Sequence, residues 1–233
     1  MSLFQTPTAQ AAELRHVVLG TPIAAAAGPG EGEVLFGCGC FWGAEKGFWR
    51  LPGVITTAVG YAAGTVPDPA YQQVCSGRTG HAEVVRVVWS RERVDLSDLL
   101  KLFWECHDPT QGDRQGNDRG SQYRSAIVVS EPADLALAEA SREAYGALLQ
   151  QAGYGPITTE ITAGKPLFYA EPYHQQYLAK PGSRPYCSAQ PSGVRLGAFA
   201  GAAYKLPEVV WQSYDWTLPH CVLRGDNAPI RLS

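Results

Sequence analysis

Cys40 stands between Gly39 and the pair Phe41-Trp42, where a short apolar strand, Val34 to Phe36, gives way to an amphipathic run. Gly37 and Gly39 permit the tight backbone turn that a strand-to-helix junction needs. From Cys40 onward, Phe41, Ala44, Phe48 and Leu51 recur at helical spacing. Cys40 is therefore expected in or just before the first helical turn. Free N–H groups and the positive end of the helix dipole favour a thiolate there. A thiolate with a lowered pKa is a usable nucleophile near neutral pH. The competing reading of a lone cysteine is a buried, inert side chain. The flanking glycines and aromatics favour the nucleophile.

A second chemical group lies on the strand Ala82 to Trp89. By alternation, Glu83, Val85, Val87 and Trp89 share one face, and Val84 and Val88 flank Arg86 on the other. A carboxyl in line with three large apolar neighbours is desolvated, which raises its pKa and suits it to donate a proton. The pattern alone leaves open that Glu83 projects into solvent at the strand start. His81 before it reads as a hydrogen-bonding neighbour. The stretch His107 to Ser125 is rich in polar residues and glycine without being repetitive. It reads as a fixed binding loop closed by Tyr123 and Arg124, although such stretches are commonly just solvated. Tyr71 and Tyr123 are hydroxyl donors in polar surroundings, and each taken singly reads as packing or capping.

These groups need a scaffold, and 233 residues suffice for one good-sized domain with extensions. Hydrophobic residues at 45% and charged residues at 18% match a soluble globular chain. A net charge of −3 argues against nucleic acid as a partner. No run is long and apolar enough to span a bilayer, so no membrane partner is expected. Arg15 to Ala27 resembles a signal peptide only faintly, because Gly20 and Pro22 interrupt it and Glu13 precedes it. The six cysteines form no C-x-x-C pair, which in a cytoplasmic chain points to redox or catalytic use. Cys38-x-Cys40 is half a soft-metal site with no second pair to complete it, so no metal is expected.

Strands are expected near 33–37, 54–61, 82–89, 122–129, 157–161 and 166–169. Helices are expected near 40–51, 96–106 (capped by Asp95 or Ser97), 132–151 and 171–179. Gly/Pro-rich 62–80 and polar 108–121 read as loops. The interleaving implies a two-layer fold of α/β or α+β class, a sandwich of helices packed on a β-sheet. Residues 1–32 read as an N-terminal arm and 188–233 as an irregular C-terminal extension of the domain between them. The aromatics of that extension should keep it packed on the domain.

The chain resembles the peptide methionine sulfoxide reductases of the A class. The resemblance rests on Gly39-Cys40-Phe41-Trp42-Gly43-Ala44-Glu45, Gly60 to Gly64, Tyr71 to Glu83, His107 to Ile127 and Phe168 to Tyr177. It covers roughly residues 33 to 187, with several motifs in the right order. It implies a mixed sheet with packed helices and reduction of methionine-S-sulfoxide, free or protein-bound, in the repair of oxidised proteins. Cys40 would attack the sulfoxide sulfur and become a sulfenic acid. Phe41 and Trp42 would receive the S-methyl group, Glu83 would protonate the oxygen, and Tyr71 and Tyr123 would hydrogen-bond it. Asp118 and His174 would hold the substrate backbone. Cys187 would be the resolving cysteine, and thioredoxin would reduce the Cys40–Cys187 disulfide. No cofactor is implied, and the enzyme would act as a cytoplasmic monomer.

Departures from the family concern recycling. Residues 188–195 carry no further cysteine, which leaves Cys221 as a candidate second resolving thiol. Cys38 is unusual, either buried and inert at a strand end or able to trap the sulfenic acid. The family's glycine pair after Tyr61 reads Ala63-Gly64, which matters if the first position needs positive φ. Two other readings stay open. One is a thiol peroxidase-like or other thiol–disulfide oxidoreductase using Cys40 and Cys187. The other is a soft-metal or redox-sensing module on Cys38, Cys40, Cys106 and His107.

Overall fold

Alternating apolar side chains in three adjacent strands build the sheet that carries the site. The computed structural model describes residues 9–218, 221–223 and 225–232, and of Cys221 the backbone alone. A short helix α1 (Ala9–Glu13) precedes β1 (Glu31–Cys38), α2 (Phe41–Trp49) and β2 (Val54–Ala62). Next come α3 (Tyr71–Cys75), β3 (Ala82–Ser90) and α4 (Leu96–Glu105). A small hairpin, β4 (Arg114–Gln115) with β5 (Asp118–Arg119), leads to β6 (Ser125–Val129) and α5 (Pro132–Gln151). Then follow β7 (Glu160–Ala163), β8 (Leu167–Tyr169) and α6 (Glu208–Trp211).

The sheet runs β7-β6-β1-β3-β2-β8. Every pair in it is antiparallel except β6–β7, which α5 joins as a parallel crossover. This is the mixed sheet with helices, of α+β class, that the sequence implied. Val85, Val87 and Trp89 join Val34, Phe36, Ile127 and Val129 in the main core beneath the helices. Leu35, Val84 and Val128 form a smaller cluster on the opposite face. Arg86 on that face is buried against Glu33 and donates to the carbonyls of Ile23 (2.8 Å) and Ala25 (2.6 Å). The arm thereby covers the second face, and a buried guanidinium is tolerated because its donors are met.

Asp95 caps α4, accepting Ser97 N–H at 2.9 Å, while Asp98 accepts the Asp95 N–H at 3.0 Å. Several local expectations differ from the structure: the polar loop 108–121 holds the β4–β5 hairpin, and the strand expected near 157–161 lies at Glu160–Ala163. The loop 62–80 contains α3. Residues 121–123 form a 3₁₀ turn before β6 begins. The helix expected over 171–179 is a chain of turns ending in a 3₁₀ turn, Tyr177–Ala179. The reason is tertiary: Gln176 takes a left-handed φ of 46° while its N–H and Nε2 bond the buried Glu45 carboxyl at 2.8 and 2.7 Å. The side chain of Gln175 closes on Val59 in the same way. These bonds replace helical ones.

The C-terminal stretch buries Leu196, Leu206, Trp211, Tyr214 and Trp216 in the main core. Tyr214 donates to the Gly47 carbonyl of α2 at 2.9 Å, and Asp98 accepts the N–H groups of Lys205 and Leu206. No helix among the described residues is long and apolar enough to cross a membrane.

Candidate active site

Cys40 is the N-cap of α2, with φ −54° and ψ 122°. Gly39 before it has φ +86°, and a Cβ there would lie 2.7 Å from the side chain of Gln115. Only glycine meets both demands. The Cys40 N–H donates to Ser188 Oγ at 3.3 Å and the Phe41 N–H to Glu83 Oε2 at 3.1 Å. The open amides of the helix thus converge on a cysteine and a carboxyl.

The thiol departs from expectation. Burial, then the nearby Glu83 carboxylate, push the Cys40 pKa well up, and the opposing Trp42 N–H does not offset them. At 8% exposure the thiol has lost more hydration than the helix end returns. Glu83 follows the direction its strand face implies: 2% exposed, it is pushed up to about 8 by burial, with Asp118 adding to the rise. At neutral pH the pair holds its protons on both groups.

An open cleft of about 430 Å³ is lined by Cys40, Phe41, Trp42, Tyr71, Glu83, Asp118 and Tyr123. Seven of the residues singled out in the sequence are therefore brought together, from β1–α2, α3, β3, the β4–β5 hairpin and the 3₁₀ turn. Burial raises the pKa of both tyrosines, so their hydroxyls are proton donors at all ordinary pH. Asp118 accepts from the Tyr186 hydroxyl, and its second oxygen, Oδ2, is buried without a partner among the described residues. The hairpin that presents Asp118 is pinned by Gln115. Its Nε2 donates to the Asp108 carbonyl at 2.8 Å, and its Oε1 accepts the Gln190 N–H at 3.0 Å.

His174 does not line the cleft. It is 1% exposed, packed behind the wall on Phe41 and Tyr71, and its Nδ1 accepts the Trp42 indole N–H at 3.1 Å. Burial holds its pKa down at about 4, so the ring is neutral. His174 therefore holds Trp42 from behind the wall. Tyr177, Arg184 and Tyr186 line the cleft without having been singled out. Tyr177 stacks on Trp42 with centroids 3.8 Å apart. Its place in the Phe168–Tyr177 motif was the available signal; nothing local marked Arg184.

Cys187 is also already placed. Cys187 is 4% exposed and packed against Gly43 of α2. A Cβ on Gly43 would lie 2.4 Å from its Sγ, so this glycine makes room for the sulfur. Burial raises the Cys187 pKa to about 12. The side chain of Cys221, the candidate second resolving thiol, lies outside the described residues.

Cys38, Cys106 and His107 bring their ligand atoms within 4.8 Å of one another beneath the site, and Cys40 is not among them. Both ring nitrogens of His107 are occupied, Nδ1 by the Phe103 carbonyl at 2.7 Å and Nε2 by Ser125 Oγ at 2.8 Å. The cluster can hold a soft metal only by breaking one of these bonds.

Residues 32–199 match the model of a family described as peptide methionine sulfoxide reductase. A peptide methionine sulfoxide reductase MsrA of Azotobacter vinelandii is 58% identical over 182 residues, 78% of this chain and 83% of that one. Its counterpart in Salinispora arenicola is 54% identical over 191 residues, 81% and 86% of the two chains. Among solved structures, methionine sulfoxide reductase A of Corynebacterium diphtheriae superposes with a TM-score of 0.70 at 41% identity, covering 84% of this chain and 92% of that one. Mxr1 of Saccharomyces cerevisiae in reduced form gives 0.63 at 32% identity, covering 70% and 92%.

Proposed function

The chain belongs to the peptide methionine sulfoxide reductase family, and from that premise we propose that it reduces methionine-S-sulfoxide, free and protein-bound, to methionine through Cys40. The observation that carries the reading is the meeting of a protonated carboxyl, two tyrosine hydroxyls and a cysteine sulfur around one cleft. A sulfoxide is polar at oxygen and electrophilic at sulfur once that oxygen is protonated.

The sulfoxide oxygen accepts hydrogen bonds from Tyr71, Tyr123 and the Glu83 carboxyl, and Phe41 and Trp42 enclose the S-methyl group. Asp118 Oδ2, buried and unpartnered, takes a backbone N–H of the substrate. Glu83 passes its proton to the oxygen and receives the proton of Cys40, whose sulfur then attacks. The oxygen ends on Cys40 as a sulfenic acid and methionine leaves, so Glu83 returns to its starting state. General acid–base help of this kind contributes about 10²–10⁴-fold. The raised pKa of Cys40 is consistent with this order, because the thiolate is formed only as the carboxyl gives up its proton.

Cys187 then condenses with the sulfenic acid, releasing water and forming the Cys40–Cys187 disulfide. A thioredoxin dithiol restores both thiols by exchange. Residues 33–187 act in this reading as the catalytic domain, 1–32 as the N-terminal arm, and 188–233 as the C-terminal extension. We place the enzyme in the cytoplasm as a monomer. The five cysteines with described side chains are all free thiols, which suits a reducing compartment.

The test is single-turnover reduction of each epimer of a blocked methionine sulfoxide, without reductant, by wild type, Cys40→Ser and Cys187→Ser. Methionine from the S epimer alone is expected, with Cys40→Ser silent and Cys187→Ser active. If neither epimer is reduced while Cys40 reacts rapidly with peroxide, the thiol peroxidase reading replaces this one.

A further inference from the structure

We propose that Cys38 and Cys106 form a second, internal dithiol that takes the disulfide over from Cys40 and Cys187 and so stores the electrons for one extra turnover. The inference rests on the proposed function, since it needs the Cys40–Cys187 disulfide as its oxidant. Cys38 ends β1 and Cys106 caps the C-terminus of α4, and their sulfurs lie within 4.8 Å of each other. A disulfide needs about 2 Å between sulfurs, so its formation draws the two side chains together. Both thiols belong to the core, 2% and 6% exposed.

The structure sets both thiols beside Cys187. A cavity of about 10 Å³ is bounded by Cys38, Gly43, Ala44, Leu102, Cys106 and Cys187. That is room for one water-sized sphere, enough for a sulfur to shift. The three thiols therefore share one apolar void. His107 stands 3.9 Å from the Cys106 sulfur, with its ring nitrogens already bonded to Phe103 and Ser125. Those bonds favour a pair of thiols over a metal at this place.

In the first step Cys106 attacks the Cys187 sulfur of the Cys40–Cys187 disulfide. Cys40 leaves with the electron pair and takes up the proton Cys106 gave up. In the second, Cys38 attacks the Cys106 sulfur of the Cys106–Cys187 disulfide, and Cys187 leaves as the thiol with the proton from Cys38. Two electrons and two protons pass from the inner pair to the outer pair, which is ready again. Thioredoxin later refills the store by the reverse path through Cys187.

The test starts from fully reduced protein mixed with excess blocked methionine-S-sulfoxide and no reductant. Methionine is counted, disulfides are mapped by peptide mass spectrometry, and bound metal is measured. Wild type is expected to give two methionines per chain and Cys106→Ala one. The wild-type map, which needs no variant to fold, should show Cys40–Cys187 and Cys38–Cys106, leaving two of the six cysteines as thiols. One methionine per chain, with Cys40–Cys187 formed and Cys38 and Cys106 still reduced, overturns the store and leaves the reductase intact. A second disulfide through Cys75 or Cys221, or one tightly held zinc per chain lost in Cys106→Ala, overturns it as well. No methionine from wild type removes the reductase reading and the store together.

Discussion

The backbone N–H of Phe41 donates to Oε2 of Glu83 at 3.1 Å, one residue beyond Cys40. The bond ties the tip of α2 to the start of β3, so nucleophile and acid keep their spacing without touching the substrate. It also favours the ionised carboxyl, yet burial outweighs it and Glu83 stays protonated to about pH 8.

Glu83→Gln keeps an acceptor for the Phe41 amide and removes the proton. Single-turnover methionine formation should fall about 10²–10⁴-fold with little change in fold. In wild type the same step should decline as pH rises through about 8, where Glu83 ionises. Stability has the matching sign. The raised folded pKa favours the fold fully below the unfolded value near 4.5, and that gain is lost between there and about 8. Glu83→Gln should therefore denature with less pH dependence in that window, as urea melts across pH 5–9 would record.

His174 accepts from the indole of Trp42 and is neutral above about pH 4. His174→Leu leaves a buried N–H unpaired, at about 1–3 kcal/mol of stability, and lets Trp42 drift. KM should rise several-fold more than kcat falls, and the limb near pH 8 should not move. A shift of that limb would mean that His174 itself titrates in the reaction.

Gly43→Ala places a methyl where the Cys187 sulfur now sits, at 2.4 Å. The first methionine should still form, but ring closure should slow, so that dimedone traps a sulfenic acid on Cys40 that escapes trapping in wild type. Disulfide formation as fast as wild type would show that Cys187 acts from elsewhere.

Ala63 lies at φ +59°, the left-handed region that glycine adopts freely. A Cβ there costs about 1–2 kcal/mol, partly offset by the freedom glycine gains when unfolded. Ala63→Gly should raise stability by about 1 kcal/mol and Tm by about 2–4 °C, measured by calorimetry. Turnover should be unaffected, since Ala63 does not line the cleft.

What the sequence determined was local. The glycines around Cys40, the spacing of Phe41, Ala44 and Phe48, and the alternation from Glu83 to Trp89 depend on neighbours a few residues away. They placed a cysteine at a helix start and a carboxyl on the buried face of a strand. The Phe168–Tyr177 motif was legible as a resemblance but misleading as a helix, because its glutamines bond Val59 and Glu45 more than a hundred residues earlier in the chain. Only the tertiary structure decided that the Cys40 thiol is held protonated, since burial depends on everything packed around it. It alone put His174 behind Trp42, seated Cys187 on Gly43, and brought Cys38 beside Cys106. These contacts join segments far apart in the chain, and no local pattern of residue types carries their distances.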